Sequence, residues 1–272
     1  MSTLRLARFL ARAGVTSRRG AAALVATGRV AVNGAPPRGP GDPVDPAADR
    51  VTLDGRPLVP AGILWYALHK PAGYVTSRCG TPRHQSIFVL APGASGDPRT
   101  SEVPGASEAP GAAGAADGRD ALVAVGRLDV YTEGLLLLTT DGEAAHRLMH
   151  PRWQVPRRYL VEVTGRLGRA QQGALAHGVP IGEGAPVRPT AWRFREGGRG
   201  GELELELREG RSRVVRRMAA ALGLGVRRLR RTAYGPVTLG GLEPGATRAL
   251  TGRELDALYA AIGLPRPPQL SA

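Results

Sequence analysis

The fold is decided by the stretch 126–134, Gly-Arg-Leu-Asp-Val-Tyr-Thr-Glu-Gly, which runs into four leucines at 135–138 and the turn Thr-Asp-Gly at 140–142. Four leucines in succession predict a β-strand that is buried on both faces. Asp129 stands near Arg127 at the entrance to that strand, so its carboxylate is expected to be held rigidly, as a catalytic acid must be. A single aspartate near a strand end is more often a turn residue, and on this stretch alone both interpretations stay open.

The chain carries a strong excess of positive charge. Its 272 residues include 37 Lys and Arg against 23 Asp and Glu, which gives a formal net charge of +14 and a pI of about 11.2. Lys70 is the only lysine, so nearly all the cations are guanidinium groups, which contact phosphate in a planar fashion and stack on bases. Genome composition explains that preference equally well, but it does not explain the net charge. The excess predicts a polyanionic partner.

Several classes of protein are disfavoured by what the chain contains. Cys79 is the only cysteine, which rules out an internal disulfide and a cysteine-rich metal site. His146 and His150 have helical spacing but lack a third ligand nearby, so no metal is expected. The sequence has neither 18 successive apolar residues nor an apolar signal core, and we therefore expect a cytoplasmic protein with no membrane contact.

The first 60 residues read as a small α/β module. Thr3 is expected to cap a helix that ends at Gly14, and Ser17 to cap a second helix from Arg18 to Thr27. Two similar pieces, 29–34 and 50–55, each predict a short strand followed by a hairpin turn. The proline- and glycine-rich residues 36–46 between them are predicted to be irregular.

Six arginines lie in the first 30 residues of this module, with few acids near them. A charged face of this kind is usually just solvated, but their concentration at helix starts favours nucleic-acid binding. The six are Arg5, Arg8, Arg12, Arg18, Arg19 and Arg29. The pattern of an arginine-rich helix, Ala-Gly-Val, Ser-Arg-Arg and then Gly-Arg-Val-x-Val-Asn-Gly resembles the S4 RNA-binding domain. That resemblance implies RNA contacts at Ser17, Arg18, Arg19, Arg29 and Asn33.

A second, larger domain is predicted over residues 64–265. Its strands are expected at 64–70, 158–164 and 202–207, and the last of these alternates acid with leucine. Three helices are predicted: 142–149 capped by Asp141, an amphipathic helix over 211–222, and a C-terminal helix to Ile262 with a capping box of Thr251 and Glu254. Residues 92–120 are rich in Gly, Ala, Pro and Ser and are expected to form a disordered insertion.

A second concentration of arginine falls in this domain. Residues 208–231 contain nine arginines and one acid, Glu209. The arginines at 213–217 lie on the predicted amphipathic helix and those at 227–231 on a predicted strand, so together they predict a positive trough that binds phosphate. Tyr159 follows two arginines and is either a platform for an unstacked base or a residue packed on the sheet.

Five motifs in order resemble the RsuA/RluB family of ribosomal RNA pseudouridine synthases. They are His-Lys-Pro-Ala-Gly at 69–73, Gly-Arg-Leu-Asp at 126–129, the segment 134–142, Arg-Tyr-Leu-Val at 158–161 and the segment 210–218. The resemblance covers the chain apart from the insertion and the last residues. It implies an α+β fold, with the small S4-like module followed by a mostly antiparallel sheet flanked by helices.

The resemblance also implies an activity, isomerisation of a uridine in ribosomal RNA to pseudouridine. Asp129 then matches the catalytic nucleophile, Tyr159 the tyrosine that packs on the target base, and Arg216 the basic partner of the aspartate. Arg127 matches the arginine that holds the base out of the helix, and Lys70, Arg213 and Arg217 are further expected RNA contacts. The family usually has Gln at the position of Val214 and Lys at that of Arg157.

The isomerisation needs neither a cofactor nor a metal, because no redox step or group transfer occurs. Ribosomal RNA is the expected partner, with a weak preference for the large subunit, and a monomer suffices. A non-catalytic ribosome-assembly factor with an S4 domain is the alternative, but it would not need an acid in a basic pocket. A DNA-binding protein is a third interpretation, which lacks the support of a helix-turn-helix motif.

Overall fold

The computed structural model describes residues 3–267 apart from Arg18, Ala61, 93–120 and Glu183. The expected insertion therefore lies outside the described residues from position 93 onwards, and so does the expected RNA contact Arg18. No helix in the described ranges is long and apolar enough to cross a lipid bilayer.

The N-terminal module consists of two short helices and short strands around a small core of its own. The core residues are Leu6, Phe9, Leu10, Ala21, Val30, Val44 and Val51. The elements are β1 (Leu4–Arg5), α1 (Leu6–Arg12), α2 (Ala21–Ala26), β2 (Val30–Val32), β3 (Pro43–Val44), β4 (Val51–Leu53) and β5 (Arg56–Pro57).

Both predicted helix starts in this module are wrong. Helix α1 begins at Leu6 without a side-chain cap, because Leu4–Arg5 pairs as a strand with Pro43–Val44. That pairing also places a short strand inside the segment predicted to be irregular. Helix α2 begins at Ala21, and the Ser17 hydroxyl accepts a hydrogen bond from the Gly20 N–H at 3.0 Å. Ser17 therefore closes the turn that precedes the helix.

The two similar pieces pair with each other as antiparallel strands β2 and β4. Asn33 and Gly34 both take left-handed conformations, with φ of 53° and 82°, and Asp54 and Gly55 do the same with φ of 52° and 76°. Successive left-handed residues are what a tight hairpin turn requires, which confirms the predicted turns.

The rest of the chain is built on one large sheet. Its strands are β6 (Trp65–Lys70), β7 (Val123–Ala124), β8 (Glu133–Thr139), β9 (Arg157–Thr164), β10 (Ala191–Gly197), β11 (Gly200–Leu207), β12 (Gly225–Tyr234), β13 (Val237–Thr238) and β14 (Thr247–Ala249). The strand order is β10-β11-β9-β12-β8-β6-β14, with β13 beside β12 and β7 beside β8. Only β8 and β12 pair in parallel among the described strands of this sheet. The predicted α+β class with a mostly antiparallel sheet is confirmed.

Strand β8 is buried on both faces, as its leucines predict. Leu135 and Leu137 pack into the core beneath α3 (Gly142–Met149) and α6 (Gly252–Ala261). Leu136 and Leu138 pack into a second core on the opposite face. Because apolar packing fixes both faces of the strand, the loop that precedes β8 is anchored at its C-terminal end.

The helices of this domain begin where a capping side chain is present. Asp141 caps α3 by accepting hydrogen bonds from the next turn, and Thr251 and Glu254 form the predicted capping box of α6. Helix α5 spans Val214–Ala221 and starts later than predicted, since Arg213 before it has a φ of 52°. Helix α4 (Arg169–His177) was not predicted, and it buries only one large side chain.

Candidate active site

A cavity of about 910 Å³ opens where the loop before β8, strands β9 and β12 and the start of α5 meet. Its wall includes five of the residues that the sequence singled out. They are Arg127, Asp129, Tyr159, Arg213 and Arg216. Residues separated by almost 90 positions in the chain therefore share one site.

Asp129 is held beside Arg216 at the cavity wall. The Arg216 Nε lies 4.0 Å from the Asp129 Oδ2, and the two side chains are 20% and 36% exposed. The Arg216 Nη2 also donates to the Tyr131 carbonyl at 2.9 Å. The Thr132 N–H donates to the Asp129 carbonyl at 3.0 Å. The guanidinium thus faces the carboxylate and ties down the same loop, while the carboxylate stays accessible from the cavity.

Lys70 fixes this loop from inside the protein. Its side chain is fully buried, and its Nζ donates to the carbonyls of Pro71, Val130 and Thr132 at 3.0, 3.0 and 2.9 Å. Burial lowers the pKa of the Lys70 ammonium to about 8, against the opposing effect of the Asp129 and Glu133 carboxylates. The expectation that Lys70 contacts RNA is wrong, because all three of its donors are used and none of the side chain is exposed.

Tyr159 forms part of the cavity wall from the middle of the sheet. It is 8% exposed and packs with the core beneath β9 and β11. On β12 its register partner is Arg231, whose own partner on β8 is Gly134. Tyr159 therefore belongs both to the sheet packing and to the cavity, and the two interpretations offered by the sequence are compatible.

Two arginines that the sequence did not single out for the site line the cavity around a buried tyrosine. The guanidinium carbons of Arg157 and Arg231 each lie 4.9 Å from the centre of the Tyr234 ring. The Arg231 Nε donates to the Leu135 carbonyl at 2.8 Å, and its buried Nη2 has no acceptor among the described residues. Strand alternation predicts that Arg230 and Arg231 face opposite sides of β12, but it does not say which of the two faces the cavity.

Gly134 allows β8 and β12 to come together at this point. Its φ is +105°, and a Cβ placed on it would lie 2.3 Å from the Arg231 carbonyl oxygen. A residue with a side chain would be strained in that conformation and would push the strands apart. The glycine that ends the decisive stretch is therefore required by the close approach of the strand carrying Arg231.

The expected RNA contacts of α5 differ in their availability. Arg213 lies at the cavity wall in front of the helix. The Arg217 guanidinium instead donates to the Ile181 carbonyl, and Arg217 is not among the lining residues. Val214, where the resemblance noted in the sequence implies a polar residue, is 5% exposed and packs into the core.

The expected RNA contacts of the N-terminal module also differ. Ser17 and Arg19 are exposed. The Arg29 Nε donates to the Asp54 carboxylate at 2.8 Å, and this pairing lowers the pKa of the Asp54 carboxyl. Asn33 donates to Asp49 and accepts from the Arg50 N–H, both at 2.8 Å. Arg29 and Asn33 therefore have internal partners that stabilise the hairpins.

The module is connected to the larger domain by a charged contact. Arg8 donates to Glu143 at 2.9 Å and to Asp141 at 3.3 Å. Asp141 also accepts from the Tyr259 hydroxyl at 2.9 Å, and burial raises the pKa of that phenol, with the Asp141 charge adding to the effect. The capping residue of α3 is thus the point where both domains meet α6.

In the described ranges no group of three or more His, Cys, Asp or Glu residues is arranged to hold a metal ion.

Comparisons with known proteins agree with this arrangement. Residues 65–221 match the family of RNA pseudouridylate synthases, and residues 4–51 match the S4 domain. An uncharacterized RNA pseudouridine synthase of Aquifex aeolicus is 36% identical over 99% of both chains. A crystal structure of a pseudouridylate synthase aligns with a TM-score of 0.59 and 28% identity, over 94% of this chain and 99% of the other. The chain belongs to the RNA pseudouridylate synthase family and is an isomerase with an N-terminal S4 domain.

Two relatives carry more specific names. The ribosomal large subunit pseudouridine synthase B of Bacillus subtilis is 31% identical over 94% of this chain and 96% of its own length. The protein of the same name from Pseudomonas aeruginosa is 36% identical over 96% of this chain and 63% of its own length.

Proposed function

We propose that this enzyme converts a uridine of large-subunit ribosomal RNA to pseudouridine, with Asp129 as the nucleophile. The observation that carries the residue assignment is the Asp129 carboxylate 4.0 Å from the Arg216 guanidinium, in a cavity that Tyr159 also lines. The names of the two relatives from Bacillus subtilis and Pseudomonas aeruginosa support the choice of RNA.

The proposed reaction is an isomerisation whose atoms balance without any second substrate. Attack by an Asp129 oxygen on the target uridine leads to cleavage of the bond between N1 and the ribose. The freed uracil turns in the cavity, and its C5 forms a new bond to the same ribose carbon. The proton on C5 leaves, N1 takes one up, and Asp129 is released. The Arg216 guanidinium, 4.0 Å away, attracts the carboxylate towards that wall of the cavity.

The walls of the cavity supply the binding energy that this reaction needs. Taking a uridine out of its stack costs roughly a few kcal/mol. In the proposal, Arg127 and Arg213 attract the neighbouring phosphates, and Tyr159 packs against the uracil. The unused Nη2 of Arg231 offers a donor for a uracil carbonyl oxygen, which would satisfy a buried polar atom that otherwise has no partner.

The proposal extends to the domain boundaries, the cofactor, the cellular location and the oligomeric state. The chain divides into an S4 domain over residues 1–60 and a catalytic domain over 64–265, which the separate core of the N-terminal module supports. No cofactor is needed for the isomerisation. We propose a cytoplasmic enzyme because the proposed substrate is ribosomal RNA, and a monomer because one chain holds every residue of the proposed site.

The test is the substitution Asp129→Asn, which keeps the shape of the side chain and removes its charge. We expect pseudouridine formation to be abolished, as measured by release of a label from C5 of uridine in a large-subunit RNA fragment. RNA affinity should stay within about twofold, because the change does not remove a phosphate contact. Asp256→Asn, on an exposed acid of α6, is the control. Undiminished turnover by Asp129→Asn would refute the assignment of the nucleophile.

A further inference from the structure

An exposed tyrosine stands at the mouth of the cavity, two residues after Asp129. Tyr131 is 66% exposed and forms part of the cavity wall. An aromatic side chain contributes most to stability when it is buried, so the fold gains little from this ring. The proposed isomerisation does not use it either.

The backbone that carries this ring is fixed on both sides. The Tyr131 carbonyl accepts from the Arg216 Nη2 at 2.9 Å. The carbonyls before and after it, of Val130 and Thr132, accept from the Lys70 Nζ at 3.0 and 2.9 Å. A ligand that binds the ring therefore pays little for ordering the chain beneath it.

The ring itself is supported by a histidine from another segment. The His84 and Tyr131 rings meet edge to face, with centroids 5.8 Å apart and planes at 89°. His84 closes a tight turn in which Thr81 N–H donates to the His84 carbonyl at 2.8 Å and His84 N–H donates back at 3.2 Å. Arg83 is exposed on the same turn. The ring at the cavity wall therefore has a supporting ring beside it, and an exposed cation lies one residue from that support.

The charges around the ring favour RNA as its ligand. Arg127, Arg213 and Arg216 line the same cavity, and a polyanion is attracted to such a wall. Aromatic side chains beside a basic groove are the usual platform for unstacked bases. We propose that Tyr131, supported by His84, stacks on the nucleobase next to the flipped uridine, with Arg83 available to the adjacent phosphate. The inference rests on the proposed function, because it takes the target uridine to occupy the cavity.

The experiment is a double-substitution cycle on RNA binding in the Asp129→Asn background, where no turnover intervenes. The probe is a stem-loop RNA that contains the uridine mapped as the site of modification. Two further copies have an abasic ribose immediately before or after that uridine. The protein variants are Tyr131→Ala, Tyr131→Phe and, as a control, Val89→Ala, which removes an exposed apolar side chain that is not part of the cavity wall.

We expect Tyr131→Ala to weaken binding of the intact RNA about tenfold, the effect of losing one stacked base. Tyr131→Phe and Val89→Ala should bind as the parent protein does. One of the two abasic RNAs should bind the parent about tenfold more weakly and show no further loss with Tyr131→Ala. A His84→Ala variant should show a smaller loss, since the platform remains but loses its support.

The proposal is overturned if the losses from Tyr131→Ala and from each abasic position simply multiply, or if Tyr131→Ala binds normally. A loss shared equally by Val89→Ala would also contradict it, because the effect would then not belong to the cavity mouth. Failure of the proposed function gives a different result, since the wild-type enzyme would then form no pseudouridine in the RNA used to map the site.

Discussion

At the scale of single residues, the site depends on two cations that hold one loop. Arg216 reaches the Tyr131 carbonyl and faces the Asp129 carboxylate, while Lys70 binds the loop carbonyls from the protein interior. Three successive carbonyls of the loop, from residues 130 to 132, thus accept hydrogen bonds from these cations, which fixes the backbone next to Asp129. Precise placement of a reacting group is worth several orders of magnitude in rate.

Lys70 makes a prediction about stability and pH. Its pKa is lowered from 10.5 to about 8 in the folded protein. Between those two values the unfolded chain binds a proton that the folded protein has already lost, so rising pH stabilises the folded state. We expect the unfolding free energy of the wild type, minus that of Lys70→Met, to rise across this window and to be flat below it.

The measurement is urea unfolding of both proteins at about pH 7, 9 and 10, which covers one pH below the folded-state pKa of about 8 and two within the window. Lys70→Met should also lower kcat at neutral pH, because three carbonyls lose their donor and the Asp129 loop loosens. If the difference in unfolding free energy falls between pH 8 and 10, the protein raises the pKa of the Lys70 ammonium instead of lowering it, and the prediction is wrong.

The sequence predicts which residues share the site better than it predicts their burial or their strand register. The resemblance to the family's motifs predicts that Asp129, Tyr159 and Arg216 share a site, and all three line the cavity. Because Lys70 and Arg217 are basic, the sequence predicts that both contact RNA. Lys70 is instead buried and Arg217 donates to the Ile181 carbonyl, since residue type carries no information about burial. The sequence predicts Arg231 to lie in a basic trough, whereas its position at the cavity depends on a strand register that the sequence alone does not give.

At the scale of elements, two glycine substitutions are predicted to have opposite effects on stability. One glycine lies where β8 pairs with β12, and the other lies in α4. Gly134→Ala should destabilise the protein by about 2–4 kcal/mol, since it combines backbone strain with a clash. Gly173→Ala lies inside α4, where a Cβ meets nothing within 4 Å. It should stabilise by about 0.5–1 kcal/mol, because alanine is the better helix former.

Thermal and urea unfolding of the two variants check these signs. Gly134→Ala should also reduce turnover, because it moves the strand that Asp129 precedes, and Gly173→Ala should not. Equal stability of Gly134→Ala and wild type would mean that β8 and β12 can separate at no cost, in conflict with the 2.3 Å approach between a Cβ and the Arg231 carbonyl.

The same scale shows why some elements were predictable and others were not. Asp141 and Thr251 mark helix starts that depend on local hydrogen bonds, and local signals are written in the sequence. Thr3 offered the same signal, but Leu4–Arg5 forms a strand pairing with a segment almost 40 residues away. Such a tertiary contact overrides a local preference and leaves no trace in the few residues around the cap.

At the scale of the whole molecule, the excess positive charge is divided between internal and free groups. Arg8 connects the N-terminal module to α3 through Asp141 and Glu143, and Arg29 is paired with Asp54. Arg19 is exposed. A count of arginines from the sequence therefore overstates the charge available to RNA, because ion pairing appears only in the folded chain.

This division predicts different salt dependences for two arginine substitutions. Arg19→Ala should weaken RNA binding and reduce the slope of log Kd against log salt by about one, because one phosphate contact is lost. Arg29→Ala should change the slope by less, since its guanidinium already neutralises Asp54. Binding of the same RNA at several salt concentrations measures both slopes. The variant Arg29→Lys keeps the positive charge, and Asp54→Asn removes the charge of its partner. Together the two variants separate the effect of charge from that of hairpin stability. If Arg29→Ala reduces the slope as much as Arg19→Ala does, the pair with Asp54 opens when RNA binds. The N-terminal module would then contact RNA through Arg29 as well as through Arg19.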